Sequence, residues 1–470
     1  MPVPIISIAQ MREWESATWK TGQTEAEVVR RVGRAVAELA VRLTRPSDLI
    51  IVLAGRGNNG ADARNSMEQL EERRVDVLQV RDPVEDFEEL ESLLAIRPAL
   101  LVDGLFGIGL NRPLNADWIK FVERINAAKL PVLAVDVPSG LNADTGEPQG
   151  AAVEAAVTLT VGAPKTGLLK QVALPCVGRL EVTGDVGLIS CPKTAELNWT
   201  LPEDFSGFPP PRPVTGHKGS FGHLAIMAGS MGYHGAAVLA ARGAQRARPG
   251  LITLFPHESA YNSCASHLQA VMVQPWSDDA LEHSAEFSAM LAGPGLASSG
   301  LPAGMKQNVQ RLWRSAPIAM VVDASALTWL QSGPTPQGAV RVITPHPGEA
   351  ARLLKTTAGE VQSDRLKALR ELSRQFGDCW VVLKGHQTLV GRSSGEVFVN
   401  SSGNPGLAQG GSGDVLAGYL AGLLAQSALQ ADPFKTLRFG VWQHGATADA
   451  LESSGRAWIV EELVAALGAR

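Results

Sequence analysis

Cysteine is scarce in this chain of 470 residues: Cys176, Cys191, Cys264 and Cys379 are scattered, with no C-x-x-C pair and no histidine at metal-ligand spacing. That excludes a disulfide framework and a cysteine-bound zinc, and reads as reduced thiols in a cytoplasmic protein. Long apolar runs are missing as well. No segment reaches the ~18 continuous apolar residues of a spanning helix, so no membrane partner is expected. The N-terminal MPVPIISIAQMREWE has no basic region leading into an apolar run, so no signal peptide is expected. Runs of basic residues are short and carry no interleaved aromatics, and the net charge is −5, which speaks against a nucleic-acid partner. The phosphate-loop pattern G-x-x-x-x-G-K-S/T occurs nowhere, and no fixed-period repeat marks a solenoid.

The chain has instead short apolar runs alternating with helical patterns. Its length exceeds one ordinary core, so two domains are expected. A hydrophobic content of 45% with 19% charged residues fits a folded protein. LIIVLA (49–54), VDVLQV (75–80), ALLVD (99–103), PVLAVD (131–136) and VTLTVG (157–162) read as buried parallel strands. Helical patterns at 62–74 and 116–128 separate several of them, and a longer one covers 8–44. This order predicts an α/β sheet with helices on both faces. The proline-rich PEDFSGFPPPRPVTGHKGSFG (202–222) interrupts it, and three consecutive prolines favour an extended spacer. The expected domains are therefore 1–205 and 206–470. The alternation then restarts at HLAIMAG and runs to QTLVGRSSGEVFVN, a predicted hairpin.

Residues 404–426, NPGLAQGGSGDVLAGYLAGLLAQ, place a glycine loop, one aspartate and an apolar helix in succession. Gly410, Gly411 and Gly413 permit close backbone approach to a ligand, and the N–H groups opening the helix make an anion site. Asp414 reads either as an acid–base group beside a phosphate or as a helix cap. Gly418 and Gly422 read as a surface for close helix packing. AGPGL (292–296), VVDASAL (321–327), ITPHPGE (343–349) and LKGHQT (383–388) each follow a strand. One crevice would collect Gly295, Asp323, His346, Glu349 and Lys384 with the glycine loop. Lys384 and the loop N–H groups suit a di- or triphosphate. His346 also admits a reading as a loop histidine satisfied by its neighbours, and Lys384 one as a surface charge.

In the first half, Gly55, Gly57 and Gly60 spell G-x-G-x-x-G between a strand and a helix. That admits an NAD-dependent oxidoreductase with Asp82 on the ribose. Against it, Asn58 and Asn59 fill the turn with amides, and Asp62 at the helix start would repel a pyrophosphate. A glycine turn capped by an aspartate is the remaining alternative. Asp103, Asp136 and Ser139 follow two further strands, so with Asn58 and Asn59 they belong to one sheet edge. Oxygen groups converging there could bind a hard cation or transfer a proton.

AGRGNNGAD, VDGLFGIGLNRPL, AVDVPSGLNADTG and VGAPKTGLL resemble the epimerase domain of the NAD(P)H-hydrate repair family, over about 49–170. HKGSFGHLAIMAGS, AGPGL, ITPHPGEAARLL, VVLKGHQT and NPGLAQGGSGDVLAG resemble the dehydratase domain of the same family, over nearly all of 215–470. The resemblance implies a Rossmann-like α/β/α sandwich followed by a ribokinase-like α/β domain. It implies that the first interconverts R and S hydrates of NADH or NADPH, and that the second dehydrates the S form with ADP or ATP. Carried over by position, Asn58, Asn59, Gly60, Ala61 and Asp62 would contact the hydrated nucleotide, as would Gly107, Ile108, Gly109, Leu110, Asn111, Arg112, Pro113 and Asp136. Asp103 and Asp136 would be catalytic, and Asn59, Asp103 and Ser139 would hold K⁺. In the second domain Gly295, His346 and Asp414 would meet the hydrate, with Asp414 as general base. Lys384, Gly385, His386, Gln387, Thr388, Gly410, Gly411 and Gly413 would meet the adenine nucleotide, with Mg²⁺ on its phosphates. A homo-oligomer is implied too. Ala61 and Ala63 replace two family glycines, and their Cβ atoms are expected to crowd the ligand; Ser325 replaces a second aspartate. The rival reading is a small-molecule kinase of the ribokinase-like fold whose first domain binds hydrated nucleotide without turning it over.

Overall fold

The structure, a computed structural model, describes residues 2–281, 286–453 and 455–468. The chain divides into two compact units, Met1–Ala195 and Glu196–Arg470. The division falls before the expected 205/206 boundary. Leu197–Trp199 pairs in parallel with Val397–Val399, and the Phe205 ring meets Phe439 edge-on at 5.6 Å, so both segments are held by the second unit.

The first unit is a parallel sheet in the order Arg74–Gln79, Leu49–Ala54, Leu100–Gly104, Val132–Val135, Val157–Val161, Arg179–Thr183. The last of these edge strands is mostly half-buried and carries no apolar run, which is why the sequence pattern did not reveal it. The central strand shows the period of two: Ile50, Val52 and Ala54 pack with Val32, Val36 and Ala40 of the helix Glu25–Leu43. Ile51 and Leu53 face the other way, onto Leu90, Phe121 and Ile125. Both faces are therefore covered, as parallel sheets require. The single helix expected over 8–44 is two, Ile8–Trp19 and Glu25–Leu43. Gly22 at φ +91° turns the chain between them, and Thr24 caps the second. The helix expected at 62–74 is Asn58–Asn65, which starts directly after Gly57. It begins early because Gly60 lies against the preceding turn; a Cβ there would sit 2.0 Å from the Gly55 carbonyl oxygen.

The second unit is a sheet in the order Leu197–Trp199, Val397–Val399, Leu389–Gly391, Trp380–Leu383, Arg341–Ile343, Ala319–Val322, Ala289–Ala292, His223–Met227, Leu251–Phe255, Met272–Val273. The predicted hairpin is present, Leu389 opposite Val399 in an antiparallel pair. Strand order reverses at His223–Met227, so the loops leaving it and Ala289–Ala292 part to open a crevice at their carboxyl ends. The helix that begins the candidate site, Ser412–Leu424, packs on His234–Ala247 through small residues. A Cβ on Gly418 would lie 1.9 Å from the Ala240 carbonyl oxygen, and one on Gly243 2.3 Å from that of Val415. Gly418→Ala is therefore expected to cost about 1–3 kcal/mol by overpacking, read as a lower denaturation midpoint, and to displace Asp414 at the head of the same helix. Among the described residues no helix is long and apolar enough to cross a membrane.

Two candidate active sites

The first unit's strand order also reverses, between Leu49–Ala54 and Leu100–Gly104, and the loops after these strands bound a cavity of about 630 Å³. That is the size and place expected of a small-molecule site in an open α/β sheet. Asn58, Asn59, Asp62 and the segment Gly107 to Arg112 line it, together with Asp136. Phe106 and Trp118, edge to face at 4.7 Å, form an apolar wall. Gly60, Ala61 and Pro113 do not line it. Nor does Ala63, which is buried in the core against Gly104, so the expected crowding at 63 does not arise.

Asp103, Ser139 and Asn59 converge on the Leu105–Phe106 backbone. Asp103 is fully buried; its carboxylate accepts from the Ser139 hydroxyl (2.6 Å), the Ser139 N–H (2.8 Å) and the Leu105 N–H (3.2 Å). Burial raises its pKa to about 6 against those three bonds. The Phe106 carbonyl accepts from Asn59 Nδ2 at 2.8 Å and from Ser139 Oγ at 3.2 Å. Asp103 does not touch the cavity, so anything it contributes passes through Ser139 and the Leu105–Phe106 turn.

Asp136 does touch the cavity, from a left-handed backbone at φ +63° that aspartate tolerates better than most residues. Its Oδ1 pairs with the fully buried Lys165 ammonium and accepts from Thr160 Oγ1 (3.2 Å) and the Val161 N–H (3.0 Å). Lys165 also donates to Thr160 Oγ1 and the Val161 carbonyl. Sequence reasoning quoted Lys165 within VGAPKTGLL but assigned it nothing; a lone lysine in an apolar stretch was the available signal. It also missed the N-terminal helices, which supply Glu15 and Glu25 to the cavity. Asn58 Nδ2 donates to Glu25. Burial first, then the charge of Asp136, raises the pKa of Glu15, while Lys165 opposes. Burial first, then Asp136, Glu15 and Glu25, holds the Asp62 carboxyl well above the usual range. Asp82, weighed as a ribose ligand, instead caps its own turn by accepting from the Val84 and Glu85 N–H groups.

In the second unit the strand-end loops assemble around Lys384. Its ammonium pairs with Asp323 at 2.7 Å and lies 3.9 Å from Glu349; Thr344 Oγ1 donates to the same Asp323 oxygen at 2.7 Å. Burial disfavours the lysine's charge, but Asp323, Glu349 and Asp414 outweigh it and its pKa is raised. Lys384 is therefore no loose surface charge. Asp414 stands in the first turn of Ser412–Leu424, after Gly411 at φ +97°. Of the N–H groups in that turn, Ser412's donates to the Gln409 carbonyl at 3.3 Å, and those of Gly413 and Asp414 have no acceptor within the helix. Burial first and Asp323 next raise Asp414 to about 7, against the pull of Lys384. His346 caps the helix Pro347–Leu354, its Nδ1 accepting from the Gly348 and Glu349 N–H groups, while its Nε2 lies 3.6 Å from the Glu349 carboxylate. Gly295 at φ +66° lies where a Cβ would meet the Tyr233 carbonyl at 2.4 Å. Two supports escaped the sequence reading. Arg365 donates to the carbonyls of Leu383, His386 and Gln387, bracing the loop from Lys384 to Thr388. His444, buried and shifted down to about 4 chiefly by burial, is neutral and sits 3.1 Å from the Ser412 carbonyl.

A mostly parallel sheet reversing beside a glycine-opened helix, with a lysine and an elevated aspartate after its strands, places the second unit in the ribokinase-like fold class. A solved ribokinase-like superfamily protein from Enterococcus faecalis V583 is 25% identical, covers 60% of this chain and 97% of its own, and has a TM-score of 0.51. The family model for NAD(P)H-hydrate dehydratase matches residues 224–465, and that for the YjeF-related protein N-terminus matches 63–167. The bifunctional NAD(P)H-hydrate repair enzyme Nnr of Gloeobacter violaceus is 34% identical over 99% of this chain and 96% of its own length. That of Coxiella burnetii is 32% identical over 95% and 94%. The chain belongs to the bifunctional NAD(P)H-hydrate repair enzymes.

Proposed function

We propose that the first unit interconverts the epimers of hydrated NADH or NADPH and that the second returns the S form to NAD(P)H at the expense of ADP or ATP. The observation that carries the second activity is Asp414: a carboxyl raised to about 7, in the first turn of a glycine-opened helix and under the charge of the half-buried Lys384. It takes the proton from the hydroxyl on the reduced nicotinamide ring as that oxygen bonds to the terminal phosphorus, the phosphoanhydride bond breaks, and AMP or ADP leaves. Phosphate then departs with the electron pair of its C–O bond where hydroxide could not, the neighbouring ring carbon gives up a proton, and the ring recovers its conjugation. The Gly410–Gly413 loop and Lys384 bear the phosphoryl charge, and Gly295 and His346 shape the hydrate's side of the crevice. Among the described residues no group of three or more His, Cys, Asp or Glu could cage a metal, which fits a Mg²⁺ held chiefly by the nucleotide phosphates. It would neutralise phosphate charge when bound.

In the first unit Asp136 and Asp62, whose carboxyl burial and neighbouring carboxylates hold above the usual range, face the ligand and serve as base and acid at the carbon that loses and regains its hydroxyl. Asp103 positions Ser139. Asp103, Ser139 and the Phe106 carbonyl present oxygens that suit K⁺, and Asn59, whose Nδ2 donates to that carbonyl, would offer its Oδ1; the ion would add fixed positive charge beside the cavity.

The deciding experiment follows absorbance of the reduced-nicotinamide band for an equilibrated hydrate mixture with Mg²⁺, K⁺ and ADP. Full recovery is expected. Recovery that stops at the S fraction would remove the epimerase, and a stable phosphorylated product would favour a kinase.

A further inference from the structure

We propose that Arg56 and Arg81 form a subsite for the 2′-phosphate of hydrated NADPH, so that the first unit selects the phosphorylated dinucleotide over hydrated NADH. The inference rests on the epimerase reading and narrows its substrate. Ala54 and Gln79 are register partners in adjacent parallel strands, so Arg56 and Arg81 each follow by two residues and emerge together at the carboxyl edge. Their backbones are tied. Arg64 Nη1 donates to the Gly55 carbonyl (3.1 Å) and to Gln79 Oε1 (3.0 Å), while Gln79 Nε2 donates to the Ala54 carbonyl (3.1 Å).

Both arginines are exposed and line the cavity, and neither guanidinium has an ion-pair or hydrogen-bond partner among the described residues. Two carboxylates close to Arg81 in sequence turn to backbone N–H groups of their own turn. Asp82 Oδ1 accepts from Val84 N–H at 2.8 Å, and Asp86 Oδ2 from the Arg81 and Asp82 N–H groups at 2.6 and 2.9 Å. The lining thus carries the carboxylates Glu15, Glu25, Asp62 and Asp136, and, with Arg112 on the segment after Gly107, the two unpaired guanidinium groups that follow these strands. A carboxylate at the end of this strand would accept hydrogen bonds from a ribose diol. Guanidinium groups there match a phosphate dianion in charge and in fork geometry, and gain little from a hydroxyl. Arg12 also lines the cavity, but it acts on Glu15, one turn along the same helix.

The test compares the full chain with R56Q/R81Q in two measurements. In epimerisation of the two R-hydrates, the ratio of kcat/KM for the phosphorylated over the unphosphorylated form is expected to fall roughly 100-fold, about a decade per guanidinium, through KM. In calorimetric titration with 2′-phospho-ADP-ribose and ADP-ribose, the difference between the two proteins cancels any binding elsewhere in the chain. It should show the loss for the phosphorylated probe alone. Binding selectivity that the variant abolishes, in a chain that epimerises neither hydrate, would support the subsite and overturn the epimerase reading. Epimerisation of both hydrates with equal KM, and equal binding of both probes before and after substitution, would overturn the subsite and leave the epimerase standing.

Discussion

Asp414→Asn is expected to lower nucleotide-dependent recovery of NAD(P)H by about a thousandfold, within the range that removal of a general base produces. The amide keeps the shape of the side chain and its place in the first helical turn but cannot accept the ring hydroxyl's proton. Stability should not fall with it. Burial together with Asp323 and Glu349 disfavours the charged carboxylate, so an uncharged replacement relieves that repulsion. A melting temperature equal to or above that of the unaltered chain, measured beside the lost activity, separates chemistry from unfolding. The same environment sets the pH profile. A base must be deprotonated, so with its pKa at about 7 the dehydration rate should reach a plateau above that pH. Below it, the rate should drop roughly tenfold per unit. A rate flat down to pH 5, or an Asn variant retaining more than a tenth of the activity, would remove Asp414 from the proton transfer.

Lys165→Met should abolish epimerisation and destabilise the first unit by about 3–5 kcal/mol, the cost of leaving one member of a buried ion pair unpartnered. Lys165 is wholly inaccessible, and its three acceptors are Asp136, Thr160 Oγ1 and the Val161 carbonyl. Without the ammonium, Asp136 keeps its charge only at the expense of burial, beside Glu15 and Asp62, which it already pushes upward. Denaturant unfolding of the single variant and of Asp136→Asn/Lys165→Met distinguishes pairing from mere volume. The double variant removes both charges and should regain most of the lost stability while remaining inactive. Equal destabilisation of the two proteins would mean that the lysine acts as packing, not as counter-charge.

The chemistry-bearing stretches were legible in the sequence because they follow strands. Apolar runs such as LIIVLA and ALLVD mark buried parallel strands, and in such a sheet whatever follows a strand arrives at one edge. Asn58, Asn59 and Asp136, and in the second unit Lys384, His346 and Asp414, were therefore assignable to two crevices. Local signals did less well where a neighbour in space overrode them. Gly22 broke one long helical pattern into two helices, and the contact between Gly60 and Gly55 moved the start of another.

By itself the sequence determined most of the buried strands along the chain, the glycine-opened helix that carries Asp414 and the family to which the chain belongs, since all three are written in local spacing. Only the tertiary structure decided which of two roles a charged residue takes. Lys165 and Lys384 became buried counter-charges, Asp103 a fully buried support, and Arg365 and His444 braces beneath a loop. Periodicity tells which face of a helix is buried but not what that face meets. A pKa or an ion pair depends on groups brought together from far along the chain, and that distance is set when the sheet closes its two layers.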